Sequence, residues 1–168
     1  KEIKRAKSFF TKPDYETFDD LEQSAKINSL RTDDKAFDNW LAYNVSAHQS
    51  PGYRAVTLSL KPTGVAPGDI TDGQLDAIAD LAERYSFGEV RTTHEQNIVF
   101  ADVKVTDLFE LWQSLSQLGF SSANIGTLTD MICCPGGDFC SLANAKSIPI
   151  AEAIQKEFED VDYLYDLG

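Results

Sequence analysis

Two cysteines separated by five residues carry the most informative chemistry in this sequence. Cys134 and Cys140 enclose a Pro-Gly-Gly turn in the run CPGGDFC. Thiolates are the preferred ligands of iron–sulfur clusters, and such a turn can direct both sulfurs toward one metal centre. A complete cubane cluster takes four cysteines, whereas this chain has three. The sequence therefore predicts half of a metal site.

The spacing of this cysteine pair alone leaves other interpretations open. A local disulfide is sterically possible, and buried structural thiols are a second alternative. Zinc is disfavoured, because His48 and His94 lack the spacing of zinc ligands. The Pro-Gly-Gly turn favours a metal site, since core cysteines rarely need a turn between them and turn amides can donate to cluster sulfurs. Cys133 is expected to point away from Cys134 into the core, as adjacent residues of extended chain do.

The second polar segment of interest is Arg91–Asn97, with the sequence RTTHEQN. The simplest interpretation is a polar hairpin tip. An arginine and an amide pair at the end of a sheet can also bind the carboxylates of a large anionic cofactor, because a guanidinium stays charged and binds carboxylates in bidentate fashion. His94, within this segment, and His48, beside a turn, are both expected to be surface histidines.

Hydrophobic periodicity indicates the elements that must position these groups. Alternation predicts a first strand over residues 53–60, and β-prone runs predict strands over 89–93, 97–103 and 125–132. One helix is predicted to begin at Thr71, which forms a capping box with Gln74. A second helix is predicted to run from Thr106 to Gly119. This β-α-β-β-α-β order is the signature of a ferredoxin-like sandwich, so the predicted fold class is α+β. The apolar stripes of the two helices are Leu75, Ile78, Leu81, Ala82 and Tyr85, and Leu108, Leu111, Trp112, Leu115 and Leu118.

Helical segments flank the predicted sandwich. Before it, residues 33–43 are predicted to be helical, with Phe37, Trp40 and Leu41 on one face. After Cys140, a helix is predicted over 141–146, with Asp138 as its cap because a carboxylate beside an anionic cluster would be unfavourable. Another helix is predicted from Pro149, burying Ile150, Ile154 and Phe158.

Composition narrows the possible partners and compartment. Acidic residues outnumber basic ones by 27 to 15, for a net charge of −12, which argues against a nucleic-acid partner. The acidic excess near the C-terminus fits a solvated helix face or, alternatively, a docking surface for a basic electron donor. We expect no membrane span and no secretory signal, and three cysteines fit a reducing cytoplasm. A first residue of Lys suggests that upstream sequence has been removed.

The two polar motifs together resemble a known family. Residues 88–98, GEVRTTHEQNI, are similar to the G-x-L/V-R-x-T-x-x-Q-N-L/I segment of the sirohaem-containing nitrite and sulfite reductases. Residues 134–143, CPGGDFCSLA, resemble the first cluster-binding C-x5-C motif of these enzymes. Asn44-Val45 and Pro51-Gly52-Tyr53 resemble the linker into their second half. The similarity extends over about residues 40–155.

The resemblance implies a cofactor pair and roles for individual residues. Such reductases have two pseudo-symmetric halves, each with a ferredoxin-like half-domain and a larger α/β domain. Their [4Fe–4S] cluster is held by C-x5-C and a later C-x3-C motif, and one cysteine of the later pair bridges it to the sirohaem iron, where sulfite or nitrite is reduced. By this resemblance the cluster ligands would be Cys134 and Cys140. Arg91 would bind sirohaem carboxylates or the substrate anion, and Thr93, Gln96 and Asn97 would contact cofactor or neighbouring loops.

The resemblance also implies a domain organisation. Residues 1–50 would be an N-terminal linker or packing arm, 51–130 the second ferredoxin-like half-domain, and 131–168 the start of the sirohaem/[4Fe–4S] domain. No C-x3-C motif follows Cys140 before Gly168, so we expect a fragment that is inactive and holds no stable cluster alone.

The function implied for the full-length protein is that of an assimilatory-type sulfite reductase. The alternatives are a nitrite reductase of the same family and a non-catalytic ferredoxin-like interaction or sensing module. The expected partners are sulfite or nitrite, an electron-donor protein and the missing halves of the same polypeptide, with neither nucleic acid nor membrane among them.

Overall fold

A four-stranded antiparallel sheet organises the part of the chain that the computed structural model describes, which is residues 2–7, 13–16, 27–31 and 33–159. Its strands are β1 (Val45–Ala47), β2 (Tyr53–Leu58), β3 (Arg91–Thr92) and β4 (Ile98–Lys104), in the spatial order β1-β2-β4-β3. The helices are α1 (Glu2–Lys7), α2 (Lys35–Asn44), α3 (Asp72–Tyr85), α4 (Leu108–Leu118) and α5 (Ile148–Glu157). Two 3-10 turns, Val105–Asp107 and Gly136–Asp138, complete the elements, and residues 27–31 are also helical.

Local capping signals explain where the two central helices begin and end. The Thr71 hydroxyl accepts a hydrogen bond from the backbone N–H of Gln74, and the Gln74 side chain accepts one from the Thr71 N–H, which completes a capping box at the start of α3. Helix α4 ends at Gly119, whose φ of 82° lies in the left-handed region that glycine enters without steric cost. Both predicted helices and the predicted hairpin, in which Arg91 pairs with Val99, are confirmed.

The hydrophobic core lies between the sheet and helices α2, α3 and α4. Helix α2 is capped by the Asp34 carboxylate, which accepts from the N–H groups of Ala36 and Phe37, and it buries Phe37 and Trp40 completely. The predicted stripes of α3 and α4 are confirmed except at Leu75, which is exposed. Leu60 and Phe120, which follow β2 and α4, are also buried in this core, and its other buried side chains come from β2, β4, α3 and α4: Val56, Leu58, Ile98, Phe100, Val103, Ile78, Ala82, Tyr85, Leu108, Leu111 and Leu115.

The predicted fourth strand over residues 125–132 is wrong. These residues form consecutive turns, in which the Thr127 N–H donates to the Asn124 carbonyl and the Asp130 N–H to the Thr127 carbonyl. The Thr127 hydroxyl also donates to the Asn124 carbonyl at 2.7 Å, so side chains compete with strand pairing for the backbone groups. The edge position beside β2 is taken instead by β1, where Val45 pairs with Val56.

Three predictions for residues 138–158 are wrong in whole or in part. Residues 141–146 form turns rather than a helix, and Asp138 does not cap one; its carboxylate lies 3.1 Å from Lys146 Nζ. Helix α5 has Pro149 in its first turn as predicted, but its buried residues are Ala151 and Gln155, while Ile150 is exposed. Across the described ranges, every helix is too short or too polar to cross a bilayer.

Candidate functional site

The thiol-bearing turn presents two exposed cysteines next to one buried cysteine. Cys134 and Cys140 are exposed, Cys133 is buried, and all three thiols are free. The prediction that Cys133 is a core residue is therefore confirmed. Burial raises the pKa of the Cys133 thiol, and the neighbouring Cys134 adds to the shift, so this sulfur is kept protonated and unreactive. No three His, Cys, Asp or Glu side chains in the described residues are grouped as metal ligands.

The turn itself is shaped by a glycine in close contact with a later loop. Gly136 has a φ of +58°, and a Cβ atom placed on it would lie 2.7 Å from both the Ala145 carbonyl oxygen and the Ser147 hydroxyl. The Gly137 N–H donates to the same Ala145 carbonyl at 2.8 Å, and the Cys140 N–H donates to the Gly136 carbonyl at 2.8 Å. Since these amides are already paired, they are not available to donate to cluster sulfurs.

The tip of the β3–β4 hairpin makes direct contact with the thiol-bearing segment. The Gln96 side-chain amide donates to the Cys133 carbonyl at 2.9 Å, and its oxygen accepts from the Cys133 N–H at 2.9 Å. Thr93 closes the hairpin, since its N–H donates to the Asn97 carbonyl and its hydroxyl accepts from the Asn97 N–H. The structure therefore brings Gln96 into contact with the cysteine segment, while Thr93 and Asn97 bond to each other within the hairpin.

A buried lysine, which the sequence analysis missed, joins this assembly. Lys61 follows β2 and has no exposed side-chain surface, and its Nζ lies 2.6 Å from the Asp130 carboxylate. The ammonium also donates to the backbone carbonyls of Asp130 and Glu95. The same carboxylate accepts from Asn97 Nδ2 at 2.9 Å, and Asn97 Oδ1 accepts from the Leu60 N–H. A single lysine in a predicted loop gave no signal of this role.

Arg91 lies on edge strand β3. Its side chain is 59% exposed, and its Nε lies 2.6 Å from the Glu89 carboxylate, whose hydrogen bond raises the pKa of Arg91. The guanidinium borders a cavity of about 410 Å³ that Tyr15, His48 and Asp102 also line. No cysteine is among the described residues that line this cavity.

The prediction that His48 is a surface histidine is wrong, because this residue lies largely buried in the cavity. The His48 side chain is 15% exposed, and its Nε2 lies 3.1 Å from the buried carboxylate of Asp102. Because the Ser50 N–H donates to Nδ1, the neutral ring carries its proton on Nε2, facing Asp102. The Tyr15 hydroxyl donates to the same carboxylate at 2.7 Å. His94, by contrast, is 88% exposed, which confirms its prediction.

Comparison with known proteins identifies a family domain within this chain. A family model described as the nitrite/sulfite reductase ferredoxin-like half domain matches residues 48–118. A sulfite reductase (ferredoxin) 2 from Mycolicibacterium paratuberculosis is 30% identical over 110 residues, which cover 64% of this chain and 20% of that protein. A chloroplastic ferredoxin–nitrite reductase from Betula pendula is 28% identical over 95 residues, covering 54% and 16%. A nitrite reductase (NAD(P)H) from Bacillus subtilis is 30% identical over 97 residues, covering 56% and 12%.

The antiparallel sheet with its packed helices is an α+β fold of the ferredoxin-like type, as predicted. Through this half domain the chain belongs to the nitrite/sulfite reductase family, whose members are oxidoreductases. The chain spans about a fifth or less of the length of these curated relatives.

Proposed function

We propose that this chain is a central piece of a cytoplasmic sulfite reductase haemoprotein and is inactive alone. It supplies a ferredoxin-like half-domain and two of the four thiolate ligands of a [4Fe–4S] cluster coupled to sirohaem. One observation carries the proposal: Cys134 and Cys140 are both exposed, at the ends of a glycine turn whose leading segment is hydrogen-bonded to the half-domain through Gln96. The proposed domain bounds remain those predicted from the sequence.

The available donors fit one half of such a cluster. Two exposed thiols are the soft ligands that iron–sulfur clusters take, and the remaining cysteine of the sequence, Cys133, is buried. Two further thiolates must therefore come from a segment outside this sequence. When bound, the cluster would relay electrons from the donor protein, and the sirohaem would supply the iron centre at which the anion is reduced.

Arg91 is the residue proposed to bind an anion. Its guanidinium is more than half exposed and keeps its charge, so it can bind a sirohaem carboxylate or the substrate in place of Glu89. Thr93, Gln96 and Asn97 are proposed to act by holding the neighbouring loops, since each already bonds within the protein.

Sulfite is favoured over nitrite as the substrate by the relatives. Two proteins named as sulfite reductases are 30% and 31% identical over 64% and 68% of the chain, whereas the two named nitrite reductases cover 54% and 56%. An electron-donor protein is the second proposed partner. The alternatives are a nitrite reductase of the same family and a non-catalytic ferredoxin-like interaction or sensing module.

The test uses the full-length product of the gene. We expect its visible spectrum to show sirohaem, its reduced form to show a cluster signal in electron paramagnetic resonance, and its sulfite reduction to exceed its nitrite reduction under a common reduced dye. Replacing Cys134 or Cys140 with serine should abolish the cluster signal, whereas Cys133→Ser is the matched control and should keep it. A full-length protein without sirohaem, or a cluster that survives Cys134→Ser, would refute the proposal.

A further inference from the structure

One side chain joins the hairpin tip to the backbone beside Cys134. Both polar atoms of the Gln96 amide bond to the same residue, since Nε2 donates to the Cys133 carbonyl and Oε1 accepts from the Cys133 N–H, each at 2.9 Å. These lengths are those of good N–H···O hydrogen bonds. The pair reproduces the exchange of two hydrogen bonds between opposed residues of an antiparallel sheet, so a side chain serves as the pairing partner of the thiol-bearing segment.

The backbone of Gln96 adopts an unfavourable conformation that places its amide there. Its φ of 59° lies in the left-handed region that side chains rarely occupy. Gly68 lies directly against it, and a Cβ atom on Gly68 would be 3.0 Å from the Gln96 Cβ. Strained residues persist where the surrounding structure holds them and where they serve a specific geometry. The contacts around Gln96 therefore preserve this orientation of its amide.

A second anchor holds the same segment three residues earlier in the chain. The buried Lys61 ammonium and the Asn97 amide both donate to the Asp130 carboxylate, at 2.6 and 2.9 Å. With Asp130 and Cys133 both attached, the chain enters the turn in a fixed direction. Because adjacent residues of extended chain face opposite sides, attaching the Cys133 peptide also sets the direction of the Cys134 side chain.

We propose that Gln96 is a positioning residue for the Cys134 sulfur. By pairing with the Cys133 peptide, Gln96 keeps the Cys133 thiol inside the protein and holds the Cys134 thiol outside, where it can ligate metal. The inference deepens the proposed function, on which it rests for the role of Cys134 as a cluster ligand. Gln96 acts through the Cys133 backbone and does not itself contact the cluster or the substrate.

The experiment measures how fast each cysteine of the 168-residue chain reacts with iodoacetamide, using peptide mass spectrometry. In the wild type we expect Cys134 and Cys140 to react and Cys133 to stay protected. Gln96→Gly removes the amide while relieving the left-handed backbone, so the variant should fold. It should react about 10- to 100-fold faster at Cys133, as expected for losing two hydrogen bonds, with Cys140 unchanged.

The matched control is Gln74→Ala, which removes another glutamine whose amide bonds to backbone, in the capping box of α3. It should weaken the helix without changing the pattern of thiol reactivity, which separates positioning from a general loss of stability. Protection of Cys133 that persists in both Gln96→Gly and Gln96→Ala would overturn the inference, as would equal acceleration in Gln74→Ala. If full-length protein lacked a cluster while Gln96→Gly still exposed Cys133, the proposed function would fail and the positioning role would stand.

Discussion

Neutralising Asp130 should test how the loop leading to the thiols is held. The Lys61 ammonium is fully buried, and the Asp130 carboxylate is its one anionic partner in the described residues. The carboxylate also accepts from Asn97 Nδ2 at 2.9 Å and from the Gly126 N–H at 2.9 Å. Asp130→Asn leaves the buried ammonium with neutral carbonyl oxygens alone, so its charge is buried without a counter-charge.

The expected loss follows from the burial of both groups. Removing one partner of a buried ion pair costs about 3–5 kcal/mol, because the remaining charge stays desolvated. For a chain of this size, 1 kcal/mol shifts the melting temperature by about 2–4 °C, so Asp130→Asn should lower it by roughly 6–20 °C. Lys61→Met should also destabilise the protein, but less, because Asn97 and Gly126 still donate to the carboxylate.

The assay is a double-mutant cycle measured by urea and thermal unfolding. In Lys61→Met/Asp130→Asn both charges are absent, so the loss should be smaller than the sum of the two single losses, with a coupling of about 1–3 kcal/mol. Arg84→Met/Glu110→Gln is the matched control, because its ion pair has the same 2.6 Å separation but lies about 60% exposed and should couple by less than about 1 kcal/mol. Additive losses at Lys61 and Asp130, or single losses below about 1 kcal/mol, would refute the reasoning.

Three further predictions concern the tyrosine, the turn glycine and the core. The hydrogen bond to Asp102 raises the pKa of Tyr15 to about 12 from 10.0, so the stability contributed by this hydrogen bond should be present below pH 10 and be lost as the pH rises toward 12. An ultraviolet titration compared with Tyr15→Phe measures the pKa of Tyr15, and an unchanged pKa in Asp102→Asn would contradict the prediction. Gly136→Ala should destabilise the turn by more than about 1 kcal/mol, because φ is +58° and the Cβ would lie 2.7 Å from two oxygens; unchanged proteolysis of the turn would count against this. Leu115→Ala, in the core, should lower the free energy of unfolding in urea by about 2–5 kcal/mol. Leu142→Ala, at a position that is 89% exposed, should lower it by less than about 0.5 kcal/mol, and equal losses in the two variants would contradict the assigned burial.

Elements with local signals were predictable from the sequence. The capping box of Thr71 and Gln74, the glycine stop at Gly119 and the hairpin before Ile98 each depend on residues close together in the chain. Such signals act through neighbouring backbone groups, so they survive whatever the rest of the fold does. The α+β class followed from the order of these elements.

The sheet edge could not be predicted in this way. Strand β1 has only three residues, Val45–Ala47, which is too short to show alternation. Residues 125–132 are β-prone by composition, yet their polar side chains bond within consecutive turns. Which segment pairs with β2 depends on competition between distant segments, and no local pattern records its outcome.

The sequence by itself determined the chemistry that this protein can offer: two thiols around a glycine turn, an arginine and an amide pair near a hairpin, and the half domain that carries this hairpin. Only the tertiary structure decided how these groups are arranged. Gln96 meets Cys133, and Lys61 meets Asp130, across separations of 37 and 69 residues. Periodicity reports burial along one element, but such pairings arise when elements pack. For that reason, the contact between the hairpin and the cysteine segment was settled by folding.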